Sequence, residues 1–333
     1  MSKVGVVIIG RNEGERLLRC FDSVEKQLPE NHHVVYVDSG STDGSVEFAK
    51  DRGFQVVNLD LSIPFTAARA RNSGFECLFN KFGQLEFVQF LDGDCLLVDG
   101  WIEAAQKILN AHPEVAIACG RRREEYPEQT LYNSLCDIEW DTPVGEANAC
   151  GGDFLIKVEA FQQVNGFNSS LIAGEEPELC LRLRQQSWRI LRVDTDMTIH
   201  DAQMSGFHQW WKRTQRAGYA FAEGSWLHRG EPERYWVKES RRIWIWGVIL
   251  PGVALMGAIP SHFLSLLLLF AYPVSAYRAY RYTCLRGFPV KRSFLYGLFC
   301  TLGKFPEAQG QLKYHFSRLF NLENKIIEYK NSS

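Results

Sequence analysis

Short apolar runs, mostly of β-branched residues, alternate with segments of helical periodicity over the first part of the chain. These runs are residues 4–9, 34–37, 54–59, 87–91 and 115–119. Runs of this length are typical of buried strands, because a strand that is covered by helices on both faces is apolar throughout. The alternation predicts an α/β fold in which helices cover a doubly wound, mostly parallel sheet.

The fourth apolar run ends in two carboxylates, Asp92 and Asp94, which only Gly93 separates. Ligands in open α/β sheets bind beyond the carboxyl ends of the strands. Two acids held this close repel each other unless a cation or a hydrogen-bond donor neutralises them, and a divalent ion bound to phosphate oxygens would do so. An ordinary turn explains the same triplet, because Asp and Gly are both common in turns. The triplet alone leaves both interpretations open.

Polar loops also follow the first two runs. The first loop begins with Arg11, Asn12 and Glu13, and the second extends from Asp38 to Asp43. Hydroxyl groups in the second loop can cap the helix that follows, but capping does not require a carboxylate at Asp38 as well. That carboxylate could accept hydrogen bonds from a nucleoside.

Two arginines, Arg69 and Arg71, lie near the start of the helix that follows the third run. Positive charge at a helix N-terminus opposes the helix dipole, so a compensating anion is one explanation for them. Phosphate suits the planar fork of a guanidinium group. A solvated helix face is the other explanation, and the sequence does not separate the two.

Charge and cysteine content exclude some classes of protein. The formal net charge of −2 argues against a nucleic-acid partner that is bound through a broad basic field. The nine cysteines are odd in number and form no Cys-x-x-Cys pair, which favours reduced thiols in the cytosol over a disulfide framework or a zinc site. No signal peptide precedes the run that starts at Val4, so this end is expected to stay in the cytosol.

Several motifs follow one another between residue 4 and residue 215 or so. In chain order they are Asn12-Glu13, Val37-Asp38-Ser-Gly-Ser-Thr-Asp43, Ala70-Arg71-Asn72-Ser-Gly74, Asp92-Gly-Asp94, Cys150-Gly-Gly-Asp153, Gly166-Phe-Asn168 and Gly174-Glu-Glu176. Together they resemble the motifs of the family 2 glycosyltransferases, which have the GT-A fold. The resemblance implies a GT-A domain that transfers a sugar from a nucleotide-diphosphate donor.

The resemblance also implies a donor site made of loops and strand ends. Its candidate residues are Arg11, Asn12, Glu13, Asp38, Asp43, Arg69, Arg71 and Asp92. Many members carry a second Asp directly after the first one in the second loop, and Ser39 stands there in this chain. The identity of the nucleotide base is therefore left open.

A divalent cation is the cofactor that the resemblance implies. Asp92 and Asp94 would carry a Mn²⁺ or Mg²⁺ ion that bridges the diphosphate, and His200 would be a third ligand or else an ordinary loop histidine. The cation and Arg71, with Arg69 as the weaker candidate, would neutralise the leaving nucleoside diphosphate. Stabilisation of charge by a metal and fixed donors lowers the barrier of such reactions by several kcal/mol.

The acceptor side is implied by the later motifs. Glu176 occupies the position of the family's catalytic Asp and would take the proton from an acceptor hydroxyl, with inversion at the anomeric carbon. Acidic residues are also what the first turn of a helix prefers, which is the competing explanation. The other acceptor-side candidates are Gly151, Gly152, Asp153 and Glu175.

The last third of the chain contains an apolar region. Residues 243–277 include no Asp, Glu, Lys or Arg, and prolines divide them into two limbs, 243–259 and 263–277. Basic residues flank the region on both sides, which predicts a membrane hairpin whose two ends are cytoplasmic. A buried pair of helices in a globular unit is the alternative.

The sequence therefore predicts four parts. They are a cytosolic GT-A domain (1–225), an interfacial linker helix (226–242), a transmembrane or membrane-embedded hairpin (243–280), and an interfacial helix with a polar C-terminal tail (281–333). The protein is expected at the inner or plasma membrane.

The expected reaction is the transfer of one sugar to a lipid-linked acceptor, such as a polyprenyl-diphosphate glycan. The segment Gln209-Trp-Trp-Lys-Arg213 lacks the Gln-x-x-Arg-Trp motif of processive synthases, which argues against a translocation channel. The alternatives are a nucleotide-sugar-binding membrane scaffold without catalytic activity and a nucleotidyltransferase. This chain has no glycine-rich phosphate loop with a lysine after the first strand, which argues against a nucleotidyltransferase. The oligomeric state is left open.

Overall fold

The computed structural model describes residues 4–28, 33–322 and 327. The described chain forms two compact units, of which the first contains residues 4–125 and 140–202 and the second contains residues 126–139 and 203–322. Part of the polar tail predicted for the C-terminal end lies outside the described residues. The two units are described in turn.

Strands and helices alternate in the first unit as the sequence predicts. In chain order, with α5 mostly in the second unit, the elements are β1 (Val4–Gly10), α1 (Glu15–Glu25), β2 (His33–Asp38), α2 (Ser45–Asp51), β3 (Gln55–Asn58), α3 (Ala67–Phe82), β4 (Phe87–Asp92), β5 (Cys95–Leu97), α4 (Trp101–Ala111), β6 (Val115–Glu124), α5 (Leu131–Trp140), β7 (Gly145–Glu146), β8 (Phe154–Lys157), α6 (Val158–Gln163), α7 (Glu175–Gln185) and β9 (Arg189–His200). All five strands predicted from apolar runs are present.

One mixed sheet joins the strands in the order β3-β2-β1-β4-β8-β6-β9-β5, and β7 pairs with β9. The pairs β1–β2, β1–β4, β2–β3 and β6–β9 are parallel. The prediction of a mostly parallel sheet is right for β3-β2-β1-β4. Beyond β4 only the β6–β9 pair is parallel, because β8 is antiparallel to both β4 and β6, and β5 and β7 are antiparallel to β9. An apolar run indicates a strand but not its direction, since either direction satisfies the backbone hydrogen bonds.

The register of the parallel strands brings the predicted site loops to one edge. Gly10 at the end of β1 lies opposite Asp38 of β2, and Ile9 lies opposite Asp92 of β4. The loop after β1 therefore begins between two carboxylates that are far apart in the sequence. This is the carboxyl edge at which ligands bind in open α/β sheets.

Helix α3 packs closely on the parallel strands because of its glycine. A Cβ atom at Gly74 would lie 2.4 Å from Val7 Cγ1 and 2.8 Å from Val37 Cγ2. In the same helix, the side chain of Asn72 accepts a hydrogen bond from Phe167 N at 2.9 Å and donates one to Phe167 O at 2.7 Å. The Ala-Arg-Asn-Ser-Gly motif thus fixes both the helix and the segment around Phe167.

The second unit is helical. Besides most of α5 it contains α8 (Phe207–Leu227), α9 (Val237–Trp244), a π-helical turn (Ile245–Ile249), α10 (Leu250–Met256), a 3₁₀ segment (Leu264–Phe270), α11 (Ala271–Leu285), α12 (Val290–Leu302) and α13 (Lys304–Leu319). The boundary predicted at residue 225 falls within α8. α12 ends at Leu302 and α13 begins at Lys304, with Pro306 in its first turn, where a helix tolerates proline.

Small residues allow the helices of the second unit to approach one another closely. A Cβ atom at Gly218 of α8 would lie 2.0 Å from the backbone oxygen of Glu307 in α13, and one at Gly310 would lie 2.0 Å from that of Gln215. The buried Gln311 accepts a hydrogen bond from Ser240 Oγ at 3.0 Å, which joins α13 to α9. Backbone contact at these glycines fixes the crossing of α8 and α13.

No helix in the described part of the chain combines the length and the apolar character needed to cross a bilayer. Residues 245–270 form a π-helical turn, the short helix α10 and a 3₁₀ segment, and His262 and Phe263 between them have φ values of 50° and 67°. The transmembrane spans predicted for residues 243–280 are therefore not supported. The prediction rested on the total length of the uncharged region, which these breaks divide.

Candidate active site

A buried network of charges lies at the carboxyl end of β4. The Nη2 atom of Arg71 lies 2.7 Å from Asp92 Oδ1, and its Nη1 atom lies 2.8 Å from Glu175 Oε1. Arg71 has only 3% of its side chain exposed. One guanidinium group thus connects the strand that carries the Asp-Gly-Asp turn to the first turn of α7.

A second arginine approaches Asp92 from β6. The Nη2 atom of Arg122 lies 2.5 Å from Asp153 Oδ2 and 3.4 Å from Asp92 Oδ2. Asp153 is fully buried, and its carboxylate also accepts hydrogen bonds from Asp92 N at 3.0 Å and Thr198 Oγ1 at 2.9 Å. Asp153, predicted on the acceptor side, thus lies beneath Asp92 and has no surface that an acceptor could contact here.

Gly152 packs directly on these ion pairs. A Cβ atom there would lie 2.9 Å from both Arg71 Nη2 and Asp92 Oδ2, and 3.3 Å from Arg122 Nη2. Its neighbour Gly151 has a φ of 83°, a conformation that side chains with a Cβ atom rarely adopt. The two glycines therefore allow the backbone to cover the arginine–aspartate network closely.

The second acid of the turn contacts a histidine from a distant strand. The Nε2 atom of His200 lies 3.0 Å from Asp94 Oδ2, and both side chains are buried. The contact follows from strand pairing, because Cys95 at the start of β5 lies opposite His200 at the end of antiparallel β9. The indole ring of Trp140 packs on the imidazole with 4.8 Å between ring centroids.

The donor set around Asp94 fits a divalent cation. Asp94 and His200 offer a carboxylate and an imidazole, and the Nδ1 atom of His200 has no hydrogen-bond partner in the described chain. Asp92 faces the same turn but is held by two arginines. Carboxylate ligands suit Mn²⁺ and Mg²⁺. Asp94 and His200 are therefore the residues best positioned to hold the ion, with Asp92 as a further oxygen ligand.

The first two loops are joined by hydrogen bonds. Asn12 N donates to Ser41 Oγ at 3.0 Å, Thr42 N donates to Asn12 Oδ1 at 2.8 Å, and Gly14 N donates to Asp43 Oδ2 at 2.9 Å. Burial would raise the pKa of Asp43, but hydrogen bonds from Ser45 and Gly14 outweigh it and lower that pKa. Asn12 and Asp43 thus shape the loops as a pair.

The two remaining residues of the predicted nucleotide-binding loops have different surroundings. Asp38 is buried, and its Oδ2 atom accepts hydrogen bonds from Gly40 N at 2.8 Å and Ser41 N at 2.9 Å. Glu13 forms an ion pair with Arg16, with 2.6 Å between Oε2 and Nη2. Asp38 therefore holds the shape of its own loop.

The two other arginines predicted at the donor site face the loop before α3. Arg11 lies over the ring of Phe65, with 4.9 Å from Cζ to the ring centroid. The guanidinium of Arg69 donates to backbone oxygens of Asp60, Ile63 and Pro64. The structure therefore does not bring Arg69 to the carboxylates that bind Arg71.

Glu176, the predicted base, lies in a pocket of thiols. Its Oε1 atom is 2.5 Å from Cys150 N and 3.0 Å from both Cys150 Sγ and Cys180 Sγ. The side chain is buried, and this burial raises the pKa of the carboxyl group against the lowering effect of the hydrogen bonds. A raised pKa brings a carboxylate closer to the range in which it can accept and release a proton.

Several residues of the site were not singled out from the sequence. They are Arg122, Trp140, Thr198 and Cys180. Only Arg122 had a signal, since it belongs to the run of three arginines, residues 121–123, at the end of a predicted strand. The others are brought in by pairing and packing of distant segments, which a local pattern does not reveal.

Comparison with known proteins agrees with this geometry. Residues 5–160 match the family described as glycosyl transferase family 2, and residues 136–208 match the family described as the N-terminal domain of galactosyltransferase. The chain contains a family 2 glycosyltransferase domain. The two matched segments include every residue of the charged network, from Arg71 to Thr198.

Two relatives are named as glycosyltransferases. The glycosyltransferase AglE of Haloferax volcanii is 24% identical over 213 residues, which are 61% of this chain and 68% of that protein. The O-antigen chain rhamnosyltransferase RfbN of Salmonella typhimurium is 22% identical over 205 residues, which are 56% of this chain and 63% of that protein. The match thus spans about two thirds of the length of these two relatives.

A solved structure shares the fold over most of its length. It is the mannosyltransferase PcManGT of Pyrobaculum calidifontis in complex with GDP-Man and Mn²⁺, with a TM-score of 0.61 and 18% identity. The alignment covers 93% of this chain and 87% of that one. This likeness establishes the GT-A fold.

Proposed function

We propose that this glycosyltransferase inverts configuration at the anomeric carbon, depends on Mn²⁺ or Mg²⁺, and moves a single sugar from a nucleotide-diphosphate donor to a lipid-linked acceptor. The observation that carries the proposal is the convergence of Asp94, His200, Asp92 and Arg71 at one strand end. Oxygen and imidazole ligands lie there next to a buried guanidinium group, as a metal-bound diphosphate requires.

Charge neutralisation is the main task of the donor side. A bound cation would supply positive charge to the diphosphate that leaves. Arg71 is already oriented by Asp92 at 2.7 Å and Glu175 at 2.8 Å, so little reorganisation is needed when a phosphate oxygen approaches it. Donors that are fixed before the reaction stabilise developing charge more effectively than mobile ones.

Glu176 is the proposed base on the acceptor side. Its carboxylate takes the proton of the acceptor hydroxyl as that oxygen attacks the anomeric carbon from the face opposite the leaving group. Burial raises its pKa and so increases its basicity. In the free enzyme the carboxylate is held by Cys150 and Cys180, and these weak thiol donors are exchanged for the acceptor hydroxyl.

The lipid-linked nature of the acceptor rests on the second unit. The segment from its π-helical turn to its 3₁₀ segment exposes large apolar side chains, among them Ile259 at 83%, Met256 at 76% and Phe263 at 65%. Contiguous exposed apolar side chains mark interaction sites, and residues 243–277 include no Asp, Glu, Lys or Arg. We assign it to the surface of the inner or plasma membrane, with the catalytic unit on the cytoplasmic side.

Basic residues complete this membrane-binding surface. Arg278 and Arg281 follow the apolar segment in α11, and Lys291 lies in the first turn of α12. Basic residues next to an exposed apolar segment favour insertion at an anionic lipid surface, because each attracts the headgroups by about 1 kcal/mol. An acceptor anchored in the same membrane reaches a high effective concentration.

Donor consumption and transfer test the proposal directly. The wild-type protein and Glu176→Gln are incubated with Mn²⁺, a panel of UDP-, GDP- and dTDP-sugars, and lipid extracts from the source membranes. Consumption of one donor by the wild type and not by the variant supports the transferase and its base. Donor binding without turnover under all conditions overturns it in favour of a non-catalytic membrane scaffold.

Vesicle flotation tests the membrane part separately. Anionic phosphatidylglycerol vesicles should carry the wild-type protein upward, and the double variant Met256→Glu/Phe263→Glu should stay at the bottom of the gradient. Leu61→Glu is the matched control, since Leu61 is an apolar residue of the first unit with 62% exposure. Equal flotation of the wild type and the double variant, or none at all, would refute the membrane surface.

A further inference from the structure

Three side chains around the proposed base form a small set of metal-ligand atoms. The Sγ atoms of Cys150 and Cys180 are 3.6 Å apart, and each lies 3.0 Å from Glu176 Oε1. None of the nine cysteines forms a disulfide. Proton acceptance by Glu176 needs a carboxylate but no thiol, so the two cysteines are not explained by catalysis.

The site is enclosed but has an entrance. Glu176 and Cys180 are buried, while Cys150 keeps part of its surface exposed. An ion can therefore enter past Cys150, and a water molecule would complete its coordination.

The distances suit a tetrahedral thiolate site. Zinc–sulfur bonds of about 2.3 Å in a tetrahedron place two sulfur atoms about 3.8 Å apart. The two thiols here are 3.6 Å apart, so they need to move by a few tenths of an ångström at most. Each sulfur must move somewhat further from the carboxylate oxygen, because a zinc–oxygen bond of about 2.1 Å gives a sulfur–oxygen separation of about 3.6 Å.

We propose that Cys150, Glu176 and Cys180 form a zinc-binding site, and that zinc bound there inhibits transfer because it occupies the carboxylate of the base. The regulatory part rests on the proposed function of Glu176. Zinc replaces the protons of both thiols, and these protons are released to the solvent. The spacing of 30 residues between the two cysteines gives no local motif, which is why the sequence predicts no zinc site.

The site differs in chemistry from the one at Asp94 and His200. Two thiolates favour a soft ion such as Zn²⁺, whereas Mn²⁺ and Mg²⁺ prefer oxygen ligands. Burial raises the pKa of both thiols, that of Cys180 to about 11. Zinc therefore competes with two protons, and its apparent affinity rises with pH by up to about a hundredfold per unit.

Cobalt substitution detects metal binding at this site without any substrate. Reduced, metal-free wild-type protein is titrated with Co²⁺, and a thiolate-to-cobalt charge-transfer band is expected, which Zn²⁺ then removes. Cys150→Ser and Cys180→Ser should lose the band and weaken zinc binding by at least about tenfold, since one ligand atom is lost. Cys77→Ser is the control, because Cys77 lies on α3 and is not among the three ligand residues.

The outcomes separate this site from the other metal site. The proposal is overturned if the wild-type protein lacks the thiolate-to-cobalt band or if Cys180→Ser keeps it unchanged. Circular dichroism of each variant confirms that the variant is folded. In transfer assays with excess Mn²⁺, equimolar Zn²⁺ should abolish wild-type activity. Inhibition that persists equally in Cys180→Ser belongs to Asp94 and His200 and overturns the inhibitory role. A wild type that shows the band but no transfer contradicts the proposed function alone.

Discussion

The imidazole of His200 lies 3.0 Å from the carboxylate of Asp94, although 106 residues separate them in the chain. The antiparallel pairing of β5 with β9 produces this contact. Asp92, the other acid of the turn, is held by Arg71 at 2.7 Å and by Arg122 at 3.4 Å. A cation that displaces neither arginine would therefore bind at Asp94 and His200.

Removal of the divalent ion should abolish transfer. EDTA is expected to stop the wild-type enzyme, and added Mn²⁺ or Mg²⁺ to restore it. Asp94→Asn should lower kcat/KM by at least about a hundredfold, because an anionic ligand becomes neutral. Asp99→Asn is the matched control, since Asp99 is an exposed carboxylate shortly after the turn. Full activity in EDTA would contradict the metal role.

His200→Ala should be partly rescued by metal concentration. Loss of one ligand is expected to raise the Mn²⁺ concentration needed for half-maximal activity by about 10- to 100-fold, with a smaller effect on the rate at saturation. A titration of activity against Mn²⁺ measures both values. An unchanged Mn²⁺ requirement would assign His200 to packing against Trp140 instead.

Substitutions of Arg71 and Arg69 should have very different effects on activity, although both residues were predicted at the donor site. Arg71→Gln leaves Asp92 and Glu175 without their shared partner, and loss of one partner of a buried ion pair costs about 3–5 kcal/mol of stability. Arg71→Lys keeps the charge and should fold, yet lose at least about tenfold in kcat because it cannot bind both carboxylates at once. The Arg69 side chain contacts only backbone oxygens among the contacts described above, so Arg69→Lys should retain activity within a few-fold. Equal losses in the two lysine variants would contradict this difference.

The role of Glu176 predicts a particular pH dependence. Because the pKa of Glu176 is raised, folding favours the protonated carboxyl group. The group therefore contributes to stability below the ordinary glutamate pKa. That contribution is lost as the pH rises through the pKa of Glu176 in the folded protein. Glu176→Gln should thus keep or gain thermal stability at pH 7 relative to the wild type. Its transfer rate should fall by about 100- to 10,000-fold, because the base is removed.

The neighbouring Glu175→Gln variant is the control for the base. Glu175 is bound to Arg71 at 2.8 Å, so its loss should weaken donor binding and raise the donor KM more than it lowers kcat. The acidic limb of the pH–rate profile should remain in Glu175→Gln and disappear in Glu176→Gln. The reverse result would make Glu175 the base.

Most strands, and the edge of the sheet at which the candidate residues meet, could be predicted from the sequence, because apolar runs and the loops behind them are local features. The antiparallel direction of β8 could not, since strand direction depends on pairing partners that lie elsewhere in the chain. Asp153 was predicted on the acceptor side and is instead fully buried under Asp92. Arg69 and Arg71 look alike in sequence, and only packing of the loop before α3 separates their roles.

The apolar region illustrates the same limit on a larger scale. Its composition correctly predicts apolar helical segments, and the exposed side chains agree with an interaction surface. Its total length predicted transmembrane spans. The turn at His262 and Phe263, both with positive φ, interrupts the region, and a hydropathy pattern gives no information on such local backbone geometry. Length and composition therefore predict an apolar region better than they predict its helices.

Gly152→Ala should weaken donor binding in a protein that still folds. The added methyl group would lie 2.9 Å from Arg71 Nη2 and Asp92 Oδ2, and these atoms must separate to admit it. Crowding of this kind costs about 1–3 kcal/mol of stability, which a thermal melt will measure, while displacement of Arg71 should raise the donor KM by about tenfold or more. Gly230→Ala is the control, because a Cβ atom there meets nothing within 4 Å. A Gly152→Ala enzyme with wild-type kinetics would mean that the contact between the two ion-paired side chains is not needed for donor binding.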